Sequence, residues 1–452
     1  MPSRRTLLAL GLASTAMLTA CATPPTPSYT ERPPIVFMHG NGDSAALWQT
    51  TIWRFESNGW PRDRLLALDQ PYPLARDDDA VAQPGRSSTT DSAVFLKAEV
   101  DKVLKATGAG KVVLIGNSRG GNTIRNYVQN GGGADAVSHV VLGGNPAHGI
   151  WVVKGFRENN EFSGLSGFMQ QLNAPKGPNG DEVTPGVKWL TLRSDNNDKY
   201  AQPDGLWIGV PGQPTNIGFD GPALKGATNV VLPRVDHRET SFSPAAFAAT
   251  WQFLTGEPPR GTAIAAETHV VLDGRAIGAE NLSLNGGQVT VYAIDPATGA
   301  RRGNAVHSKN IGADGRWGPF SARGDTSYEF VLNAPGYGIT HIYRSAFARS
   351  SGAVNLRPER LTPADANANA QAVVVFTRPR GYFDAQRDTM RFDGQNPPTG
   401  VPPKGSGVSS SRLRIAAAEP QRAVTGEFNG ERITGLTWPA AQQHVTVLEL
   451  TY

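Results

Sequence analysis

Residues 111–127 read KVVLIGNSRGGNTIRNY, and the fold of the first half of the chain is decided there. Val112, Val113, Leu114 and Ile115 are a short apolar run of the kind that fills a buried parallel strand. Residues 122–129 have a helical pattern, and Gly131, Gly132 and Gly133 stop it. Between the two lies Gly116-Asn117-Ser118-Arg119-Gly120, a G-x-S-x-G in which small residues let a strand turn sharply into a helix and expose one hydroxyl. A Gly-rich connecting loop would look similar. The strand before it and the helix after it favour the turn, and make Ser118 the candidate nucleophile.

Upstream, residues 34–38 form a core strand that runs into His39-Gly40-Asn41-Gly42. Glycines there let the backbone approach a substrate carbonyl, and the N–H groups of Asn41 and Arg119 are the candidate oxyanion donors. His39 follows a strand directly and reads as structural rather than as a base. Asp43 or Ser44 is expected to cap a helix burying Leu47, Trp48, Ile52 and Phe55. A strand at 65–68 precedes a Pro-, Asp- and Ser-rich loop, whose Asp77-Asp78-Asp79 reads as solvated rather than metal-binding. Thr90 or Asp91 then caps a helix with Leu96, Val100, Val103 and Leu104 on one face. This alternation is that of a doubly wound parallel sheet.

Downstream, strands are expected at 137–142, 187–192 and 229–232, with a closing helix at 243–253. Residues 147–185 break the rhythm. Their large apolar residues, among them Ile150, Trp151, Phe156, Phe162, Met169 and Leu172, suggest a cap or lid lining an acyl-chain pocket, or else helices packed on the sheet. Past the strand at 187–192, Asp198 is the candidate for the carboxylate that orients a histidine, with Asp195 as alternative. His237 follows the last strand and is the candidate base. His148 precedes the acid, the wrong chain order. The order Ser118, Asp198, His237 is the one this turn demands.

These residues resemble the small secreted bacterial lipases and esterases of the α/β-hydrolase superfamily. The match includes Phe37-Met38-His39-Gly40, the turn Ser57-Asn58-Gly59-Trp60-Pro61-Arg62-Asp63, the G-x-S-x-G, and the spacing from Asp198 to Pro203. The resemblance implies carboxylester hydrolysis through an acyl-enzyme on lipophilic esters, with no metal and no organic cofactor. Asn117 and Arg119 depart from the family's usual residues beside the serine. The Arg119 guanidinium is expected either to pair with a carboxylate such as Asp43 or to favour polar or anionic substrates.

The length of 452 residues predicts two or three domains, and a net charge of +4 without any basic run speaks against nucleic acid. Ser3-Arg4-Arg5-Thr6-Leu7-Leu8 and the apolar run to Leu18 read as a twin-arginine export signal, and Leu18-Thr19-Ala20-Cys21 resembles a lipobox. Cys21, the only cysteine, would carry the lipid, so no intramolecular disulfide can form and membrane attachment would be through that lipid. Residues 1–21 are thus signal, 22–33 tether and 34–256 the α/β-hydrolase domain. The location expected is the cell envelope or the exterior.

After a linker at 257–262 the pattern becomes short alternating strands with turn signals, an all-β region of sandwich or barrel type. Residues 286–332 resemble a carboxypeptidase-regulatory β-sandwich, and the whole half resembles the β-domain appended to some prokaryotic lipases. The Pro-, Gly- and Ser-rich stretch 378–411 is expected to be loop-like and to divide this half into units at 263–363 and 372–452. His307, His341 and His444 read as packing or surface residues, and Trp317 and Tyr337 as core. Two alternatives to an ester hydrolase are a hydrolase of polyesters, lactones or amides, and a surface binding lipoprotein with a relic hydrolase half.

Overall fold

The computed structural model describes residues 32–415 and 422–452. The export signal and Cys21 lie outside them. Among the described residues no helix is long and apolar enough to cross a membrane.

Six parallel strands form the first sheet, in spatial order Leu65–Ala67, Ile35–Met38, Val112–Asn117, Val137–Gly143, Lys188–Ser194 and Thr228–Leu232. Alternate side chains feed two cores, one on each face. Ile35, Phe37, Val113 and Ile115 pack against Trp48, Phe55, Phe247 and Trp251. Val36, Met38, Val112 and Leu114 pack against Leu96, Val100, Ile124 and Tyr127. That two-sided burial is why these strands read as continuous apolar runs.

The caps differ from those expected. Ser44 occupies the cap position but its side chain makes no cap bond, and the Asp69 carboxylate instead accepts from Ala45 N–H at 2.8 Å. A residue 24 positions away satisfies that helix end, which no local pattern announces. The next helix, Thr89–Thr107, starts earlier than expected, because Ser88 and Asp91 form a reciprocal capping box. The aspartates at 77–79 are more than solvated: Asp79 accepts from Thr89 N–H and hydroxyl at 2.8 and 2.6 Å, and Asp78 accepts from Asn159 at 2.9 Å. Asp79 pins the loop to the start of the helix, and Asp78 ties it to Asn159.

The second half is built of strands. Seven form one sheet in the order His307–Asn310, Gln288–Ile294, Ser327–Asn333, Ile339–Arg344, His444–Glu449, Ala372–Thr377, Ser410–Ile415. His444–Glu449 lies parallel to both of its neighbours, so it joins strands from 263–363 to strands from 372–452 in one sheet. A three-stranded sheet, Met390–Phe392, Ala423–Phe428 and Glu431–Leu436, encloses a further core with Phe376, Phe383 and Leu448. Trp317 is fully buried in the larger core. Tyr337 packs only partly buried against it, under the guanidinium of Arg360. His341 is buried, stacked on Trp438 and bonded to Glu329 at 2.7 Å and to His444 at 2.8 Å.

The halves meet over the helix Gln49–Ser57. Its Phe55 enters the hydrolase core, while Trp53 is fully buried in the core of the β region and donates to Ser350 O at 2.9 Å. The helix is therefore buried on two faces, not one.

Candidate active site

Ser118 sits between the strand Val112–Asn117 and the helix Arg119–Asn130 with φ 53° and ψ −123°. A non-glycine residue at positive φ is strained and persists only where its surroundings over-determine it. Ser118 N–H donates to Gly143 O at 2.9 Å, and its carbonyl accepts from Gly121 N–H at 2.9 Å and from Asn145 at 3.1 Å. Both motif glycines are required by close approach. A Cβ on Gly120 would lie 2.5 Å from the carbonyl oxygens of Met38 and His39, and one on Gly116 would lie 2.8 Å from Gly121 N. The turn is thus wedged between the ends of two strands.

Asn117, one of the two unusual flanking residues, donates to Gly143 O at 3.1 Å, to His237 O at 3.3 Å and to Ser241 Oγ at 2.8 Å. It ties the serine turn to the histidine turn. Arg119, the other, is 3% exposed and pairs with the buried Glu161, not with Asp43. Its remaining N–H groups donate to Ser87 Oγ at 2.9 Å, Ser87 O at 2.8 Å and Pro73 O at 3.1 Å. The guanidinium is consumed by structure and does not line the cavity at Ser118. The Asp43 carboxylate pairs instead with Arg238 at 3.1 Å.

Asp198, four residues past the strand Lys188–Ser194, accepts at Oδ2 from His237 Nδ1 at 2.8 Å and at Oδ1 from Tyr200 N–H at 2.8 Å. Asp195 ties its own loop to the one after the last strand, accepting from Asn196 N–H and Arg234 N–H. The His237 ring is 3% exposed, with the Tyr200 ring edge-on at 4.7 Å. Among the described residues its Nε2 has no hydrogen-bond partner. Ser118 and His237 line one cavity of about 250 Å³ together with Asn41. The Asn41 side chain accepts from Ala75 N–H at 2.7 Å, which fixes the loop, while Arg119 N–H begins its helix and has no intrahelical acceptor.

Apolar walls come from Ile150, Trp151, Phe162 and Ile208. Residues 147–185 therefore supply a pocket wall, and also a packing helix, Gly167–Asn173, whose Leu172 carbonyl accepts from the buried Arg125 at 3.1 Å. His39 is buried, bonded to Gly40 O at 2.9 Å and accepting from Gln70 N–H at 3.1 Å, and burial lowers its pKa. His148 faces Glu182 at 3.1 Å. Neither competes with His237.

Sequence reasoning did not assign Tyr200, Trp207 or Tyr382 to this cavity, which they line. Lys199 sits among them, 3.9 Å from the Tyr382 ring centre, 4.5 Å from that of Trp207 and 5.0 Å from that of Tyr200. Its ammonium donates to Gly407 O at 2.8 Å, and burial, reinforced by Arg238, lowers its pKa to about 8. Among the described residues no group of His, Cys, Asp and Glu is arranged to hold a metal.

A strained serine at a strand-to-helix turn over a parallel sheet, with a carboxylate-bound histidine on the same cavity, defines the α/β-hydrolase class. The sequence model described as alpha/beta hydrolase fold matches residues 33–207, and the model of the lipase C-terminal domain matches 268–361. Residues 33–207 thus match the α/β-hydrolase fold, and a region matching the lipase C-terminal domain follows at 268–361.

Similar solved structures are distant. Bacillus licheniformis lipase BlEst2 in mature form is 20% identical over 50% of this chain and 92% of its own, with TM-score 0.34. In its propeptide form the values are 15% identity, 90% and 93% coverage, and TM-score 0.37. Aspergillus fumigatus lipase B is 15% identical over 53% of this chain and 56% of its own, with TM-score 0.35.

Proposed function

We propose that the protein is an exported carboxylester hydrolase, an esterase or lipase, working through Ser118, His237 and Asp198 on lipophilic esters. The observation that carries this reading is the 2.8 Å contact of His237 Nδ1 with Asp198, with Nε2 unpartnered among the described residues and His237 lining the cavity that holds Ser118. Ser118 Oγ attacks the ester carbonyl and passes its proton to Nε2. Asp198 holds the ring in the Nδ1–H tautomer and stabilises the imidazolium. The N–H groups of Asn41 and Arg119 receive the oxyanion, where one such donor contributes about 2.7–4 kcal/mol. Collapse breaks the ester C–O bond, and His237 returns the proton to the leaving alkoxide. Water, deprotonated by His237, then releases the acid from Ser118.

The proposal includes a catalytic domain over 34–256, a linker at 257–262 and β units at 263–363 and 372–452. It also includes twin-arginine export and lipid attachment at Cys21, both read from the sequence. In the test, protein lacking residues 1–21 is treated with a fluorophosphonate probe, the adduct is mapped by peptide mass spectrometry, and p-nitrophenyl esters of rising chain length are assayed. Labelling at Ser118 with turnover is expected, and Ser118→Ala should lower kcat by about 10⁵–10⁶. A labelled but ester-inactive protein would redirect the reading to another acyl bond. No labelling and no turnover would overturn it.

A further inference from the structure

Two of the loops that carry the proposed machinery, 195–200 and 236–239, are held by side chains and main-chain groups of a single distant stretch. Asp236 is fully buried one residue before His237. Its Oδ1 accepts from the N–H groups of Arg238 and Glu239 at 2.8 and 2.9 Å. Its Oδ2 accepts from Arg378 and from Tyr382 N–H, both at 2.8 Å. Glu239 continues the clamp: it accepts from Arg378 at 2.5 Å and from Asp236 N–H at 2.7 Å, and pairs with Arg387. Arg238 in turn donates to Pro379 O at 3.0 Å.

The loop of Asp198 is tied to the same stretch. Ser406 Oγ donates to Asn197 O at 2.5 Å, and Lys199 donates to Gly407 O. Trp207 lies so close over Gly407 that a Cβ there would collide with the indole. Tyr382 and Trp207 then line the cavity that holds Ser118. The contact between His237 and Asp198 thus bridges two loops whose outer sides rest on residues 378–408. That stretch lies beyond both family matches, which end at 207 and 361.

We propose that residues 378–408 of the β region complete the active site, with Arg378 as a positioning residue for His237 and Tyr382 as a specificity-determining wall of the substrate cavity. The inference rests on the ester-hydrolase reading above. Its chemistry is that of a buried carboxylate with four donors. With all four in place, Asp236 fixes the backbone from which His237 projects, and loss of the Arg378 donor leaves that carboxylate under-bonded in a dry site. An imidazole displaced by even 1 Å loses much of its value as a proton carrier. Tyr382 contributes its ring to the cavity wall, so its removal enlarges the space beside Ser118.

The full chain without residues 1–21 is used throughout, with thermal unfolding recorded for each variant. In Arg378→Gln, kcat on p-nitrophenyl butyrate is expected to fall at least tenfold at a temperature well below unfolding. KM should change less than threefold, the acid limb of the pH–rate profile should shift, and Arg378→Lys should restore part of the loss. In Tyr382→Ala, the ratio of kcat/KM for octanoate over acetate esters should change at least fivefold. Gly407→Ala, which displaces Trp207, should move the same ratio. A purely structural interface predicts otherwise: Arg378→Gln would lower the unfolding temperature with kcat and pH profile unchanged, and the two cavity variants would scale all esters equally. Either result overturns the corresponding assignment. If Arg378→Gln does not fold, Tyr382→Ala and Gly407→Ala decide the matter. A wild type labelled at Ser118 beside unresponsive variants defeats this inference alone, whereas an unlabelled, inactive wild type defeats it together with the functional reading.

Discussion

Ser118 and His237 line one cavity but are secured in opposite ways. The serine is fixed mostly by main chain: strand ends, two glycines without room for a Cβ, and carbonyls and N–H groups contributed by residues 38–143, with the Asn145 amide added. The histidine and its aspartate stand on loops that rest on residues 378–408, through the guanidinium groups of Arg378 and Arg387, the Ser406 hydroxyl and main-chain groups. Backbone packing tolerates almost no change of shape but is indifferent to charge. A salt-linked clamp is sensitive to both charge and pH. The two halves of the proposed reaction centre should therefore fail under different perturbations.

The largest effect expected comes from Arg119→Met, which breaks a buried charge pair beside the serine turn but outside its main-chain frame. It strands the buried Glu161 carboxylate, and breaking a buried pair costs about 3–5 kcal/mol, read by urea unfolding. Adding Glu161→Leu should recover most of that loss, and neither change should alter preference between neutral and anionic esters, because the guanidinium is outside the cavity. A shifted preference would break the contrast. Gly120→Ala comes next, at about 1–3 kcal/mol from overpacking against the Met38 and His39 carbonyls, with activity falling at every pH alike. Ser88→Ala should cost about 1 kcal/mol through its helix cap, with kcat unchanged.

The smallest effect is a pH dependence on the histidine side. Lys199 has its pKa lowered to about 8 in the fold, against about 10.4 in an unfolded chain. The unfolded state thus binds more protons between those values, so stability rises with pH across that window. The gain is muted because the ammonium is partly exposed. Lys199→Met should remove the rise, as followed by urea midpoints between pH 7.5 and 10.

What the sequence discloses follows the same division. The G-x-S-x-G turn, the strands at 112–115 and 137–142, and the order Ser118, Asp198, His237 are legible because they rest on local periodicity and on glycines whose need is steric. The preference for Asp198 over Asp195 rests on the family resemblance, through the spacing to Pro203, and Asp198 is the carboxylate that lies 2.8 Å from His237 Nδ1. Illegible were partners distant in the chain. Glu161 for Arg119, Asp69 as the cap at Ala45, and Tyr382 beside the cavity lie 42, 24 and more than 200 positions away, and no periodicity links such pairs. The Pro- and Gly-rich stretch 378–411 reads as loop because its order comes from what it touches rather than from its own propensities.

Trp53 has a consequence for modularity. A helix that gives one face to the hydrolase core and a fully buried indole to the β region cannot be shared by two independently portable parts. Cutting at 257–262 would leave that tryptophan bare, remove Thr262 O as an acceptor for Arg54, and expose an apolar patch of the sort that drives aggregation. Transplanting this catalytic half onto another carrier would therefore call for a redesigned underside, beginning at position 53.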